Sequence, residues 1–271
     1  MKPNRLKRIW TEGRCALNGW LSIPNAFSAE IMAEQGYDSI GIDLQHGIID
    51  YQAAVGMLQA MRASDVVPIV RVPWLDPAHI MKALDAGAYG IICPMINNRS
   101  EAERLVSYVK YPPAGVRSYG PSRAVFSAGD NYFVESEEQI VCFAMIETAE
   151  AVDNLAEIVS TPGLDGVYIG PADLTIGLTG KTCLPGFDRE EPEIVNAIHR
   201  ILDAAHAAGI KAALHCGTPA YAAKAAGWGF DLVTVSNDVR LLAGAAKANV
   251  TAFRSLMEEE GSRTTSSGHG Y

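Results

Sequence analysis

Eight short apolar segments, each followed by a segment of helical pattern, run along this chain from residue 15 to residue 256. Several of them, such as IVCFAMI, are almost continuously apolar, which is typical of strands buried on both faces of a parallel sheet. The eight predicted strands lie in CALNGWLSI, DSIGIDL, VPIVRV, YGIICPM, IVCFAMI, GVYIG, IKAALH and FDLVTV. Strands that alternate with helices along a whole chain predict an α/β fold.

The helical segments carry start and stop signals that support this reading. Asp76-Pro77 has the form of an N-cap followed by proline in the first turn, and Gly36, Gly87 and Gly209 fall where helices should end. The predicted helices start at residue 28 and then cover 51–63, 77–86, 99–110, 149–159, 192–208, 219–226 and 239–256. Eight units predict a closed (β/α)8 TIM barrel, with a doubly wound open sheet as the alternative.

The 271 residues contain no low-complexity internal linker, so we expect one domain, the barrel, over residues 1–258. Two segments fall outside the alternation. Residues 111–139 form a long connection with glycine, proline and arginine, which predicts a functional loop. Residues 259–271 include the small, polar sequence GSRTTSSGHGY, and we expect a disordered tail there.

Charge and composition exclude several classes of partner. The formal net charge is −9, which disfavours nucleic acid and anionic membranes, because both attract a concentrated positive patch. The longest apolar run, residues 140–146, is far too short to cross a bilayer. The basic N-terminus lacks the apolar stretch of a signal peptide, and the five cysteines contain no C-x-x-C pair. We therefore expect reduced thiols in a cytoplasmic protein.

Reactive side chains stand at or just after the ends of four predicted strands. His46 follows strand two in Asp43-Leu-Gln-His, Arg71 ends strand three, Glu147 ends strand five, and Asp173 follows strand six. In a (β/α)8 barrel the C-terminal ends of all strands meet at one rim, where the active sites of such barrels lie. Four strands therefore bring an imidazole, a guanidinium and carboxylates together.

Each of these residues also has a structural interpretation. Glu147 or Asp173 could cap a helix or turn, His46 could be a hydrogen-bonded loop residue, and Arg71 could pair with a neighbouring carboxylate. Together they favour a functional site, because several like charges at one rim need a counter-ion. A divalent cation would meet that need. An imine-forming lysine is disfavoured, since only Lys211 adjoins a strand and it stands at the N-terminal end.

The ordered set of motifs DLQH, VRVPW, LDAGAYGIICPM, GVRSYGPSR, MIET and YIGPADL resembles the HpcH/HpaI aldolases, the metal-dependent class II pyruvate aldolases. The resemblance runs from about residue 17 to the last helix. It implies a (β/α)8 barrel that assembles into trimers or hexamers, with the last helix exchanged between subunits. It also implies a divalent metal cation (Mg²⁺, Mn²⁺ or Co²⁺) as cofactor.

The resemblance implies a role for each matching residue. Glu147 and Asp173 would hold the metal, and His46 would be the base, oriented by Asp85 of LDAG. Arg71 would contact the ketone oxygen of pyruvate. The further substrate-binding positions that it implies are Trp20, Met145, the backbone around Ala172, and Asp173 itself. It also implies that the loop 117–123 shapes the aldehyde end, within its own subunit or across a subunit interface.

Two positions differ from well-studied members of this family, which carry Gln where this chain has Met145 and Glu where it has Gln45. Methionine cannot hydrogen-bond a substrate hydroxyl as an amide does, so the aldehyde specificity does not transfer. The expected reaction is reversible cleavage of a 4-hydroxy-2-oxo acid into pyruvate and an aldehyde. The alternatives are oxaloacetate decarboxylation or related metal-enolate chemistry, a CoA-thioester lyase, and a barrel that only binds ligands.

Overall fold

The computed structural model describes the backbone of residues 1–266 and the side chains of residues 1–258. Eight parallel strands in this part of the chain form a closed barrel in sequence order, with the last strand hydrogen-bonded to the first. The strands are β1 Ala16–Leu21, β2 Ser39–Asp43, β3 Val67–Arg71, β4 Gly90–Cys93, β5 Val141–Ile146, β6 Gly166–Ile169, β7 Lys211–Cys216 and β8 Leu232–Val235. The predicted TIM barrel is confirmed, and closure excludes the open doubly wound sheet.

Helices cover the outside of the barrel and connect its strands. They are α1 Arg5–Thr11, α2 Ala26–Ala33, α3 Tyr51–Ala60, α4 Pro77–Asp85, α5 Arg99–Val109, α6 Ala124–Ala128, α7 Tyr132–Gln139, α8 Ala149–Asp153, α9 Leu155–Val159, α10 Pro171–Thr179, α11 Pro192–Ala207, α12 Pro219–Trp228 and α13 Asp238–Ser266. A 3₁₀ turn, Met61–Ala63, extends α3.

The predicted start and stop signals act as expected. The Asp76 carboxylate accepts hydrogen bonds from the backbone N–H groups of Ala78 and His79 at 2.9 and 3.0 Å, with Pro77 in the first turn. Gly87 ends α4 at φ 106°, a backbone conformation in which a Cβ atom would be strained. These local signals set the bounds of α4 independently of the barrel around it.

Some elements differ from the prediction. The helix expected over 149–159 is two helices, α8 and α9, and the segment 111–139 contains α6 and α7. Helices α1 and α10 were not predicted. The last helix begins at Asp238 and continues through Ser266, so it covers the first part of the predicted tail 259–271. Residues 267–271 of that tail lie outside the described residues.

The sheet register places side chains of neighbouring strands side by side at the C-terminal rim. Asp43 at the end of β2 is paired in register with Arg71 at the end of β3. Strand β5 is buried at all six positions and ends directly before Glu147. The alternation of strands and helices therefore delivers the polar residues after these strands to one end of the barrel.

No helix in the described part of the chain has the length and apolar character needed to cross a membrane.

Candidate active site

A pocket of about 330 Å³ opens at the C-terminal ends of the strands. Its lining includes seven of the eight residues predicted for the site, which are Trp20, His46, Arg71, Met145, Glu147, Ala172 and Asp173. A larger cavity of about 520 Å³ lies at the opposite end, beside the start of β3, and contains none of them. We take the smaller pocket as the candidate site because the reactive side chains converge there.

Asp43 and Arg71 form a two-point ion pair in this pocket. Arg71 donates from Nε to Oδ1 of Asp43 at 2.9 Å and from Nη2 to Oδ2 at 2.7 Å. Burial alone would raise the pKa of Asp43, but the hydrogen bonds and positive charge of Arg71 outweigh it and lower that pKa. Asp43 is therefore held as a carboxylate, and the planar guanidinium is fixed in one orientation.

The same carboxylate organises the residues around it. Its Oδ1 accepts hydrogen bonds from the backbone N–H groups of Gln45 and His46 at 3.1 and 3.2 Å. Its Oδ2 accepts a bond from the Trp20 indole at 3.3 Å. Asp43 thus joins the arginine, the start of the histidine loop and the tryptophan in one network. The pairing of Arg71 with a neighbouring carboxylate was one of the interpretations of the sequence, whereas the contacts of that carboxylate with the other two were not predicted.

Glu147 is almost fully buried, at 2% exposure, directly after β5. Its Oε1 accepts a hydrogen bond from the backbone N–H of Met95 at 2.8 Å. Burial is the largest influence on its pKa; the Met95 N–H and the charge of Arg71 lower that pKa, and the charge of Asp173 raises it, to a net value of about 7. Such a carboxyl group is costly to ionise without a nearby cation.

Asp173 approaches Glu147 from the first turn of α10 and is exposed to solvent. Gly170 lies between this turn and the carboxylate: a Cβ atom there would stand 2.5 Å from Glu147 Oε2 and 2.9 Å from the Met145 methyl group. Glycine at this position therefore keeps open the space next to the glutamate oxygen.

Two carboxylates that face one small space are suitable ligands for a hard divalent cation such as Mg²⁺. Among the described residues, no group of three or more His, Cys, Asp or Glu side chains is arranged to hold a metal ion. The candidate is thus the Glu147 and Asp173 pair alone, which would leave most coordination positions of a cation to other oxygen ligands. The oxygen donors and the space kept open by Gly170 fit such an ion.

Gly170 has a second effect at α10. As the N-cap it offers no side chain to the first helical N–H groups. The N–H groups of a first turn have no partner within the helix, and the helix dipole makes this end attractive to anions. Ala172 lies in that turn and lines the pocket. Its amide is therefore available to a carboxylate.

Asp85 does not reach this pocket within the described chain. Its Oδ1 accepts a hydrogen bond from Arg117 Nη2 at 2.7 Å at the end of α4, and no hydrogen bond joins it to His46 among the described residues. His46 itself is exposed at the mouth. The role of Asp85 in orienting His46 therefore stays a prediction without support inside one chain.

Gln45 and the loop 117–123 also lie outside the pocket lining. Gln45 is half-buried, and its Oε1 has no hydrogen-bond partner in the described part of the chain. Arg123 donates to the backbone carbonyl of Leu58 at 3.0 Å and lines the cavity at the other end of the barrel. In one chain, the loop therefore stabilises the outer helices and does not shape this site.

Several lining residues were not among the predicted ones: Ser22, Asp43, Tyr168, Gly170, Phe187, His215, Asn237, Val239 and Arg240. His215 ends a strand that the sequence already predicts, so its position at the rim was available as a signal. Phe187 lies in the long connection after α10 and gives no such signal, because only the fold brings it over the barrel.

The barrel is closed, and carboxylates, an arginine and a histidine lie together at its C-terminal mouth. This arrangement is typical of (β/α)8-barrel enzymes. The profile of the HpcH/HpaI aldolase/citrate lyase family matches residues 18–245. The chain belongs to this family, and the resemblance of its motifs is confirmed.

Individual relatives agree with the profile. Hydroxypyruvate/pyruvate aldolase from Rhizorhabdus wittichii is 44% identical over 253 residues, which cover 93% of this chain and 100% of the relative. The 4-hydroxy-2-oxo-heptane-1,7-dioate aldolase from Salmonella heidelberg is 34% identical and covers 92% and 94% of the two chains. A crystal structure of a family member from Burkholderia cenocepacia J2315 superposes with a TM-score of 0.85 at 30% identity, covering 93% and 99%.

Proposed function

We propose that this protein is a class II pyruvate aldolase, which reversibly cleaves a 4-hydroxy-2-oxo acid into pyruvate and an aldehyde with the help of a divalent cation. The observation that carries the proposal is the convergence of Glu147, Asp173, Arg71 and His46 around one pocket of about 330 Å³. Family membership and the aldolase names of the relatives support the same activity.

Glu147 and Asp173 are the residues that would hold the cation, Mg²⁺, Mn²⁺ or Co²⁺. Their oxygen donors suit these ions, and the high pKa of Glu147 reflects a buried carboxyl group beside a second acid. When bound, the cation supplies Lewis acidity that favours negative charge on the C2 oxygen of the keto acid.

Arg71 supplies hydrogen-bond donors to that same oxygen. Asp43 accepts from Nε and from one N–H of Nη2, and the remaining guanidinium N–H groups have no hydrogen-bond partner among the described residues, so they can donate to a substrate. A charge-assisted donor stabilises an enolate oxygen more than a neutral ketone, and this difference lowers the barrier. The Ala172 amide at the start of α10 binds the substrate carboxylate.

His46 moves the proton. In cleavage it accepts the proton of the C4 hydroxyl as the C3–C4 bond breaks and the electron pair passes to the C2 oxygen. A proton from solvent then adds to C3 of this enolate and gives pyruvate, and condensation starts with the loss of such a methyl proton. In the reverse direction it returns that proton to the new alkoxide. The backbone of His46 is tied to Asp43, while its imidazole stands at the open mouth, where the aldehyde enters and leaves.

The test of this proposal is product analysis with purified, cation-loaded protein. We expect pyruvate and an aldehyde from 4-hydroxy-2-oxo acids, with activity lost in excess chelator and restored by Mg²⁺, Mn²⁺ or Co²⁺. Release of carbon dioxide from oxaloacetate without any aldol cleavage would favour the decarboxylase instead. Substrate binding without turnover of either compound would favour a barrel that only binds ligands.

We also propose that the chain forms a homo-oligomer, a trimer or hexamer, through its last helix. Helix α13 is exposed along nearly its whole described length, and this exposure includes large apolar side chains: Leu242 at 64%, Phe253 at 64% and Leu256 at 62%. Apolar surface of this extent is typical of an interface. Light scattering of the full chain and of a chain ending at residue 245 tests this, since only the longer one should assemble.

A cytoplasmic location is part of the same proposal. All five cysteines lie in the described part of the chain and are free thiols, as is expected in a reducing compartment. Cell fractionation with an antibody against the protein is the direct measurement.

A further inference from the structure

His215 is a pocket residue for which the proposed mechanism has no use. It is the second-last residue of β7, lines the pocket and is only 6% exposed. Its ring contacts Trp20 edge-on at 5.0 Å between centroids and stacks on Phe187 at 4.7 Å with 25° between the planes. The imidazole is therefore fixed between two aromatic rings at the side of the site.

A chain of buried hydrogen bonds crosses the barrel interior and ends on this histidine. Ser39 donates to Asn18 Oδ1 at 2.7 Å, and Asn18 Nδ2 donates to Thr234 Oγ1 at 2.9 Å. Thr234 Oγ1 lies 2.6 Å from the Tyr168 hydroxyl, which lies 3.0 Å from His215 Nδ1. Five side chains from five strands are thus connected in one line.

The directions of the last two bonds follow from proton accounting. Thr234 already accepts a bond from Asn18, and the only acceptor for its own proton among the described residues is Tyr168. If Tyr168 donated to Thr234 instead, the buried threonine proton would be left without an acceptor, which is unfavourable. Thr234 therefore donates to Tyr168, and Tyr168 donates to Nδ1 of His215.

This direction fixes the tautomer of the imidazole. A nitrogen that accepts a hydrogen bond carries no proton, so the proton of neutral His215 is on Nε2. Burial, aided by the positive charge of Arg71, lowers the pKa of His215 to about 3, so the ring is neutral near pH 7. His215 is therefore a donor through Nε2 and not a cation.

Nε2 has no hydrogen-bond partner among the residues that the structure describes. Nearly all buried polar groups in proteins are paired, and an unpaired donor in the wall of a substrate pocket has a natural partner in the substrate. The proposed function already assigns the ketone and carboxylate oxygens of the keto acid to Arg71, Ala172 and the cation. A hydroxyl substituent is the oxygen that remains, and an uncharged donor suits an uncharged oxygen.

We propose that His215 is a specificity residue that donates a hydrogen bond from Nε2 to a hydroxyl group of the substrate, so that the pocket prefers hydroxylated substrates. The inference rests on the proposed aldolase function and adds a substrate class to it. The hydroxyl belongs either to the keto acid, as in hydroxypyruvate, or to the aldehyde, as in glycolaldehyde. Both sources present the same oxygen chemistry.

His215→Asn is the sharpest variant. The shorter amide side chain reaches about the position of Nδ1, so Tyr168 keeps a partner while the donor at Nε2 is lost. His215→Gln is its reciprocal, because the longer amide reaches about the position of Nε2. His199→Asn is the matched control. His199 lies on α11, where it packs against Trp228 of α12, away from the pocket.

The experiment measures kcat/KM of the full-length, cation-loaded protein with four substrate pairs: pyruvate or hydroxypyruvate, each with acetaldehyde or glycolaldehyde. The readout is a ratio of kcat/KM values, hydroxylated over unhydroxylated substrate, taken once for the keto acid and once for the aldehyde. A general loss of activity cancels in each ratio. We expect His215→Asn to lower one of the two ratios about tenfold, the value of one neutral hydrogen bond, mainly through KM. His215→Gln should recover part of that loss, and His199→Asn should change neither ratio.

The component whose ratio falls identifies the source of the hydroxyl group. Both ratios unchanged in a folded His215→Asn protein would overturn the inference and leave the aldolase proposal intact. If wild type turned over none of the four pairs, the proposed function would fail, and this inference with it. If His215→Asn does not fold, Tyr168→Phe serves instead: it keeps His215 but frees its tautomer, and the same ratio should fall.

Discussion

Asp43 and Arg71 end neighbouring strands and meet in a two-point ion pair, with 2.9 Å between Oδ1 and Nε and 2.7 Å between Oδ2 and Nη2. Both side chains are buried, so the pair is shielded from water and salt. Register pairing of β2 with β3 places them side by side. The orientation of the arginine in the proposed site therefore depends on a carboxylate that need not touch substrate.

Asp43→Asn should lower both stability and activity. The amide keeps the shape but leaves a buried guanidinium without its counter-charge, which costs about 3 kcal/mol of unfolding free energy. We expect kcat to fall as well, because Arg71 loses its fixed orientation. Urea denaturation and steady-state kinetics measure the two effects. Asp38→Asn, which breaks a more exposed pair with Arg5, is the control and should leave kcat unchanged.

His46→Ala separates proton transfer from cation binding. We expect kcat for aldol cleavage to fall about 10²- to 10⁴-fold, the usual contribution of a general base, while calorimetry shows unchanged affinity for Mn²⁺. Glu147→Gln should instead lose cation affinity and activity together, since an amide is a poor substitute for the carboxylate. Weakened Mn²⁺ binding in His46→Ala would show that the histidine belongs to the cation site.

Gly170→Ala should disturb the cation site and little else. The added Cβ atom would stand 2.5 Å from Glu147 Oε2 and 2.9 Å from the Met145 methyl group, both of them ends of flexible side chains. The glutamate carboxylate must move, so we expect Mn²⁺ affinity to fall about tenfold or more while the barrel still folds. Gly227→Ala, with open space at its Cβ position, is the control for affinity and folding. Unchanged affinity in Gly170→Ala would contradict the assigned ligand.

His215 gives the protein a defined acid sensitivity. Its pKa is about 3 in the folded state and about 6.5 in the unfolded chain. Between pH 3 and pH 6.5 the unfolded chain therefore binds a proton at this residue that the folded chain does not bind. This contribution destabilises the fold as pH decreases below 6.5, with a slope of up to about 1.4 kcal/mol per pH unit. His215→Asn removes it. Urea denaturation at pH 7 and pH 5 should show a smaller loss for the variant than for wild type, and equal losses would contradict the buried neutral ring.

The barrel itself could be predicted because its signals are local. Apolar strands, the Asp76-Pro77 helix start and glycine at helix ends each act within a few residues, and eight repeats of them leave few architectures. Helix α10 escaped prediction because the segment after Gly170 is apolar on most sides and lacks a side-chain N-cap. Helices α6 and α7 lie in the segment 111–139, whose glycine and proline residues favour a loop in the sequence.

Site residues could be predicted only where a reactive side chain stands at or near the end of a strand in the sequence. Glu147 directly follows β5, and Asp173 lies in the first helical turn after β6, so strand positions alone place both at the rim. The anchoring by Asp43 depends on the register between two strands. The tautomer of His215 depends on a line of hydrogen bonds between side chains of five strands. The pairing of Asp85 with Arg117 joins residues 32 positions apart through the loop after α5. Such contacts are tertiary, and no local pattern encodes them.

Exchange of the methyl hydrogens of pyruvate with deuterated water measures the central claim most directly, because it reports enolate formation without any aldehyde. Wild-type protein with Mg²⁺ or Mn²⁺ should exchange these hydrogens rapidly, as followed by proton NMR. The chelated protein and Glu147→Gln with added cation should not exchange them above the rate in buffer. Full exchange by the chelated protein would contradict the account, since Glu147 and Asp173 would then have no cation to hold.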